Sequence, residues 1–515
     1  TGVFHSDPIN LEQVAVPDST GAGSNSKTIL KTLGAVVQNH LLDDKLVTTF
    51  GLREDQQYTK SGSTPQLLNA DGETLNYDSV NHWAAGDYKF NSGKTKTGGA
   101  VLRPFRDLSF VRKMDETPGV SHFIGNMIRG MSITYNKSDS FIPAGFATDL
   151  YLDALPVPTG HGKDYGVSFN MLDGRLVVRW NHYENLSINN RGGDAGTIAQ
   201  RVTRIDLASN AGFLLFNQMY SPTLLGAATI NGVAQPQQVG WIRVVHPEYT
   251  EQQVQDETAK EFGMPFATIL ATQAAFNAGT ITATQDITAK GNELEVNFNP
   301  TRYWTVSANG AETESVNTNV ATSINDWINQ RMPIWTSIVD PRYNTPWWTT
   351  NYGGSQTAQA NYISFVQTPY AVTNQKQGKA NPQIGKYSAK VSTNFQLAGV
   401  TENKLLKQFN VGGAVRWQSA VAIDYYGLQQ LPAIVTALDV NNPIYQKSQY
   451  HFDMFVGYRT RLFGDRVPAR FQLNVTDLQY SHAKLQAIDA FPDGTPSAYR
   501  IIDPRKFVLS ATFDL

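Results

Sequence analysis

The chain has 515 residues, a formal net charge of −2 and no cysteine. Its balanced charge offers no basic surface for nucleic acid, and the missing cysteines exclude a disulfide framework and any thiolate-ligated metal. Only 17% of the residues are charged, while 11% are aromatic and 41 are glycine, a composition that suits a polypeptide meeting lipid on one side and water on the other.

In chain order, the sequence opens with Thr1 in a polar, Gly/Ser-containing segment and shows no signal peptide, so it reads as a fragment or a processed product. Period-two alternation then marks about thirteen strands, over 29–42, 45–57, 94–105, 130–140, 164–172, 175–188, 284–298, 303–318, 384–396, 405–420, 451–463, 466–477 and 500–515. In one of them Tyr387, Ala389, Val391, Thr393 and Phe395 alternate with Ser388, Lys390, Ser392 and Asn394. Further on, Phe409, Val411, Val415 and Trp417 oppose Asn410 and Arg416, and Phe452, Met454, Val456 and Tyr458 oppose Asp453, Arg459 and Arg461. The runs reach roughly ten residues, the length of a tilted membrane-crossing strand, whereas strands of a soluble sandwich average about 5–6. The longest apolar stretch, Phe266 to Phe276, is broken by Gln273 and too short to cross a membrane as a helix. A membrane protein without such helices has to close into a barrel, because an open edge in lipid leaves backbone groups unpaired. The expected fold is therefore an all-β, transmembrane antiparallel β-barrel.

The connections alternate in length. Asp43-Asp44, Asp173-Gly174, Asn299 to Arg302, Leu397 to Lys404 and Gly464-Asp465 are short, and 58–93, 189–283, 319–383 and 421–450 are long. Short periplasmic turns and long extracellular loops are the habit of outer-membrane barrels. The long connection 106–129 departs from that alternation and reads as an insertion. Helices are expected over Glu251 to Ala278 and Ser323 to Gln330.

Particular segments resemble a known family. These are Arg103-Pro104, Tyr135 to Phe141, Gly162 to Gly166 with Leu172 to Leu176, Lys290 to Glu295 with Asn299-Pro300-Thr301, Leu473 to Leu478, and Asp503-Pro504-Arg505 before the last strand. Their order and spacing resemble TonB-dependent receptor barrels of the large type found in Verrucomicrobia-like bacteria. The resemblance spans nearly the whole chain. It departs at the end, where Leu515 stands in place of the usual terminal aromatic and Phe513 lies nearby, and at the start, where no plug or TonB box is present. Large transporters of this kind have about 22 strands around a plugged lumen, so the resemblance implies roughly strands 10 to 22, with about nine strands and the plug upstream.

Implied with the family are a Gram-negative outer-membrane location and energised import of a large scarce solute. That solute would be a ferric siderophore, a cobalamin-like molecule or an oligosaccharide. The implied partners are the inner-membrane TonB complex, outer-membrane lipid and the barrel-assembly machinery. The rival reading is a passive porin or a surface adhesin.

Lumen-facing positions are expected at Arg53, Arg179, Lys390, Arg416, Arg459 and Arg461, each opposite an apolar stripe, and lipid-facing ones at Phe395, Trp417, Tyr458 and Phe513. Ligand contacts are expected from Trp335, Tyr343, Trp347 and Trp348, clustered in one long connection, because aromatic faces stack on sugars and aromatic chelators. No catalytic constellation stands out, and neither a cofactor nor a metal site is expected. The Gly160-His161-Gly162-Lys163-Asp164 segment lacks phosphate-loop spacing, the nine His have no ligand spacing, and Glu293 with Glu295 reads as solvated barrel wall.

Overall fold

In the computed structural model, residues 26–61, 88–141, 143–191, 193–207, 214–319, 322–354, 356–379, 384–428, 437–464 and 466–514 are described. Asp465, Leu515 and most of the 58–93 connection lie outside them.

The thirteen strands form a single antiparallel sheet in which sequence neighbours are hydrogen-bonded neighbours throughout. They are β1 Ser26–Leu41, β2 Leu46–Ser61, β3 Lys89–Leu102, β4 Met131–Phe141, β5 Thr159–Met171, β6 Leu176–Arg191 and β7 Thr284–Thr301. After them come β8 Trp304–Thr318, β9 Tyr387–Gln396, β10 Phe409–Gln418, β11 Gln449–Leu462, β12 Val467–Thr476 and β13 Lys506–Phe513. This is the up-and-down order of a β-barrel wall. Among the described residues β1 pairs only with β2, and β13 only with β12.

The turns at one end are tight. Leu42, Asp43 and Asp44 lie at φ 54°, 54° and 63°, and Leu172, Asp173 and Gly174 at 56°, 54° and 85°. Asp and Gly tolerate this left-handed region and Leu does not, so Leu42 and Leu172 are held there by the strands on either side. The long connection between β3 and β4 is a helical hairpin, α1 Ser109–Glu116 and α2 Val120–Arg129. Gly125 lets the helices touch, since a Cβ there would lie 2.3 Å from the Asp115 nitrogen. Arg129 donates to Asp115 at 2.7 Å, and Asn126 donates to Asp173 at 3.4 Å, tying the hairpin to the β5–β6 turn.

Two expected strand limits shift. The first residues of the expected 500–515 strand belong instead to a separate hairpin of Lys484–Ala490 with Pro496–Ile502. Pro504, which has no N–H to donate, stands between it and β13. Leu406–Gln408 forms a 3-10 turn ahead of β10.

Cross-strand partners in an antiparallel ladder project to one side, and alternate residues along a strand to opposite sides. Traced through the registers, one face carries Arg53 (opposite Thr95), Arg179 (opposite Glu295), Lys390 (opposite Arg416), Arg459 (opposite Arg470) and Arg461 (opposite Pro468). The other carries Phe395 opposite Trp304, Trp417 opposite Tyr450, Tyr458 opposite Phe409, and Phe513 opposite Ala469. On this second face Phe50, Leu52, Ile133, Tyr165, Trp180, Leu294, Val391, Val415, Phe452, Met454, Leu473 and Leu509 are all exposed. An apolar surface spanning a whole sheet far exceeds the few hundred Å² that soluble monomers leave open. The chain exposes 30364 Å², against about 18,600 Å² for a compact monomer of this length. No helix among the described residues is long and apolar enough to cross a membrane, so any crossing rests on the strands.

Candidate functional site

The polar face is lined by short, hydrogen-bonding side chains with charges set among them. One concavity is lined from β4 to β8 by Ser132, Asp164, Arg179, Asn181, Glu295 and Asn309. Side chains from five successive strands line it together, so the sheet curves with its polar face inward. Arg53 pairs with Asp55 at 2.9 Å, Arg179 with Glu295 at 3.2 Å, and Arg416 with Asp453 at 3.0 Å and Asp477 at 3.5 Å. The Arg179–Glu295 pair is solvent-exposed and worth at most about 1 kcal/mol, whereas Asp55 is buried beneath Arg53. The role of the pairs is to neutralise a wetted wall. Glu293 shares the face and the concavity with Glu295 and Arg179. The Gly160 to Asp164 segment lies inside β5, paired with β4 and β6, where its amides are committed to the ladder and cannot cradle a phosphate.

The long connections at the opposite end from the tight turns build a second body. Connections 142–158, 192–283 and 319–386 supply α3 Gly193–Leu207, α4 Leu215–Tyr220, α5 Trp241–Val245, α6 Glu251–Phe262, α7 Phe266–Asn277 and α8 Thr322–Ser337, followed by α9 Ala358–Tyr362 and α10 Thr368–Gln375. They share one apolar core that includes Leu150, Ile198, Val202, Leu215, Met219, Phe262, Ile269 and Ile324. The α6 helix has the local signals that make it form: Thr250 and Gln253 make a reciprocal capping box, and Gly263 closes it at φ 73°.

The expected ligand-contact aromatics lie in this core. Trp335 and Trp347 are 0% exposed and Trp348 7%. Trp335 stacks on Trp348 with centroids 5.7 Å apart, and Trp348 meets Trp347 at 5.9 Å. Tyr343 packs half-buried against the same cluster, with the Arg342 guanidinium 5.1 Å from its ring. The expectation that these faces stack on a ligand is corrected for Trp335, Trp347 and Trp348, whose rings are covered by one another and by the core, while Tyr343 stays half-buried.

Two buried ion networks, invisible to sequence reasoning, organise that core. Asp206 accepts from Arg331 at 2.9 and 3.0 Å and from the Trp335 indole at 2.8 Å. Arg331 also donates to the Phe262 carbonyl at 2.6 Å, and its guanidinium lies 4.3 Å from the Phe262 ring. Asp340 takes Arg342 at 2.6 Å and the Tyr352 hydroxyl at 2.9 Å. Arg342 in turn reaches the Val239 carbonyl at 2.8 Å and the Gln218 side chain. Burial, reinforced by the adjacent Asp340 charge, pushes the Tyr352 hydroxyl far above its ordinary value. The spacing of Arg331 and Trp335, one helical turn apart, puts them on one face, but Asp206 lies 125 residues away. No cluster of metal-ligating side chains occurs among the described residues.

Burial also raises the Glu261 carboxyl, against the opposing pull of the Trp241 indole that donates to it at 2.9 Å. A raised carboxyl favours the folded state below its unfolded value, about pH 4.3, and that advantage is lost as pH climbs through the folded value. Glu261→Gln keeps the acceptor and removes the charge. At pH 4 its thermal midpoint should equal that of the unmodified chain, and at pH 7 it should be a few degrees higher. Near-UV circular dichroism during melting checks both.

No protein-family model and no curated protein matches the chain. Solved structures similar to it include several receptors. They include BauA, the ferric preacinetobactin receptor of Acinetobacter baumannii, at 10% identity and TM-score 0.45, over 95% of this chain and 43% of that one. The ferric yersiniabactin uptake receptor FyuA of Yersinia pestis is similar at 10% identity and TM-score 0.43, over 96% and 47%. The ferripyoverdine receptor of the outer membrane of Pseudomonas aeruginosa is similar at 13% and 0.40, over 94% and 48%. The chain thus spans less than half the length of these structures.

Proposed function

We propose that this chain is part of the wall and the outer cap of a TonB-dependent outer-membrane transporter that imports a ferric siderophore or a comparably large chelate. The observation that carries the reading is the sheet itself. One face is apolar and widely exposed, the other is polar and concave, and the long connections gather at one end into a folded cap while the other end holds tight turns and a short helical hairpin. That division is what lipid outside, water inside and an asymmetric membrane require. The sequence resemblance, and the ferric-chelate receptors among the similar structures, support a receptor for scarce iron chelates. With the cap aromatics committed to their own core, ligand contacts fall to the polar wall and the exposed cap surface.

The parity of the sheet supports a larger barrel. In an up-and-down sheet the first and thirteenth strands run the same way, so β1 and β13 meet only as a parallel pair. An odd number of further strands restores an all-antiparallel ring, and nine would give the 22 of the largest plugged transporters.

Cells expressing the whole gene should accumulate a labelled ferric chelate, and collapsing the inner-membrane proton gradient should abolish that uptake. Uptake that continues unchanged after the gradient is lost would establish a passive pore instead.

A further inference from the structure

We infer that the tight-turn end of the polar face holds a binding site for a phosphate-class oxyanion, formed by Arg459, Arg461 and Arg470. The argument rests on the register and the charges alone, and stands whether or not the barrel is an energised transporter. Arg459 is the direct cross-strand partner of Arg470, and Arg461 follows two residues along β11 on the same face. Like charges directly opposite one another repel, and a third guanidinium beside them adds to the cost. Elsewhere on this face the arginines are neutralised, Arg53 by Asp55, Arg179 by Glu295 and Arg416 by Asp453. Among the described residues none of Arg459, Arg461 and Arg470 forms an ion pair, and the bond found for Arg470 goes to the neutral Gln472, at 2.5 Å. A sheet that pairs its other arginines leaves these three without an ion pair among the described residues, and so open to an anion from outside.

The three side chains line one open cavity of about 730 Å³, together with Gln408, Thr512 and Asp514. Guanidinium forks match the paired oxygens of phosphate or carboxylate. Two further features favour phosphate. Three guanidinium groups against the one carboxylate of Asp514 leave an excess of two positive charges among the described lining residues, which calls for more than a single negative charge. Gln408 Oε1, buried at the cavity wall, lacks any hydrogen-bond donor, and a protonated phosphate oxygen or a hydroxyl next to it supplies one. The phosphate can be free or the headgroup of a phospholipid, and the chemistry at the arginines is the same for both.

The test is a calorimetric titration of the full chain in detergent micelles with inorganic phosphate, at low and at physiological salt. Saturable binding is expected, weakening with salt as charge-driven contacts do. Arg459→Gln and Arg470→Gln should each weaken it at least tenfold. Arg470→Lys, which keeps the charge and loses the fork, should fall between. Lys260→Gln, an exposed cation on α6, should bind as the unmodified chain does. Circular dichroism identical to that of the unmodified chain shows that the variants are folded. Phospholipid that copurifies with the unmodified chain and is lost from the Arg459→Gln, Arg470→Gln double variant assigns the headgroup source, and its absence alongside phosphate binding assigns the free anion. No saturable phosphate binding at low salt, or equal affinity in the unmodified chain and the folded double variant, would overturn the site.

Discussion

Replacing Asp206 with Ala is expected to melt the helical cap while the strands stay assembled. The Asp206 carboxylate and the Arg331 side chain are both buried, 0% and 4% exposed. The carboxylate satisfies two guanidinium nitrogens and the Trp335 indole at once. Removing one partner of such a pair strands the other charge in a dry interior and costs about 3–5 kcal/mol. A cap of this size has about 5–15 kcal/mol to lose, so the loss is a large share of its stability. The stacked Trp335 and Trp348 give the readout, since their near-UV circular dichroism vanishes when the stack opens. Exchanging both residues together, Asp206→Leu with Arg331→Met, removes the charges in concert and should cost less than either single truncation. A double variant less stable than Asp206→Ala would show that packing, and not the unpaired charge, dominates the loss.

Leu294→Arg is expected to destabilise the membrane-inserted sheet by about 2–4 kcal/mol, the depth-dependent cost of a cation on the lipid face near the bilayer centre. Leu294 pairs with Trp180 on β6 and Gly310 on β8, on the apolar face, and is 47% exposed. It stands seven residues from the end of β7 at Thr301, which at about 3.3 Å per residue and a 45° tilt places it near half the hydrocarbon depth. Thr134→Arg, on the polar face close to Asp164 and Glu295, puts the same side chain into water among carboxylates and should cost under about 1 kcal/mol. Urea titration of the protein refolded into phospholipid vesicles compares the two. Equal costs would mean that the two faces see the same solvent.

The sheet was legible because its signal is local. Each strand carries its own alternation for roughly ten residues, and Asp43-Asp44 and Asp173-Gly174 mark turns by chemistry that tolerates positive φ. The faces followed from the same alternation, so Arg53, Arg179, Lys390, Arg416, Arg459 and Arg461 could be grouped before any pairing was known. The cap was not legible, because what joins it is distant in sequence: Asp206 and Arg331 meet across 125 residues. Trp335, Trp347 and Trp348 illustrate the ambiguity. Indoles in a long connection suit a ligand face and a core equally well, and only the apolar faces of α3 to α8 around them decide for the core. The last expected strand misled in another way, since its first residues, 500–502, pair in a separate hairpin and Pro504 stands before β13 begins.

The central claim is that the apolar face meets lipid and the polar face meets water, and the chain is well made for testing it because it has no cysteine. Single cysteines placed one at a time from Asn292 to Phe298 along β7, labelled with a nitroxide in the membrane-inserted full-length protein, report collision with oxygen in lipid or with a water-soluble nickel chelate. Val296, Leu294 and Phe298 should show high oxygen and low nickel accessibility, and Glu293, Glu295 and Asn297 the reverse, in strict period two. Nickel accessibility at every position, or the same alternation with its phase inverted, would contradict the account.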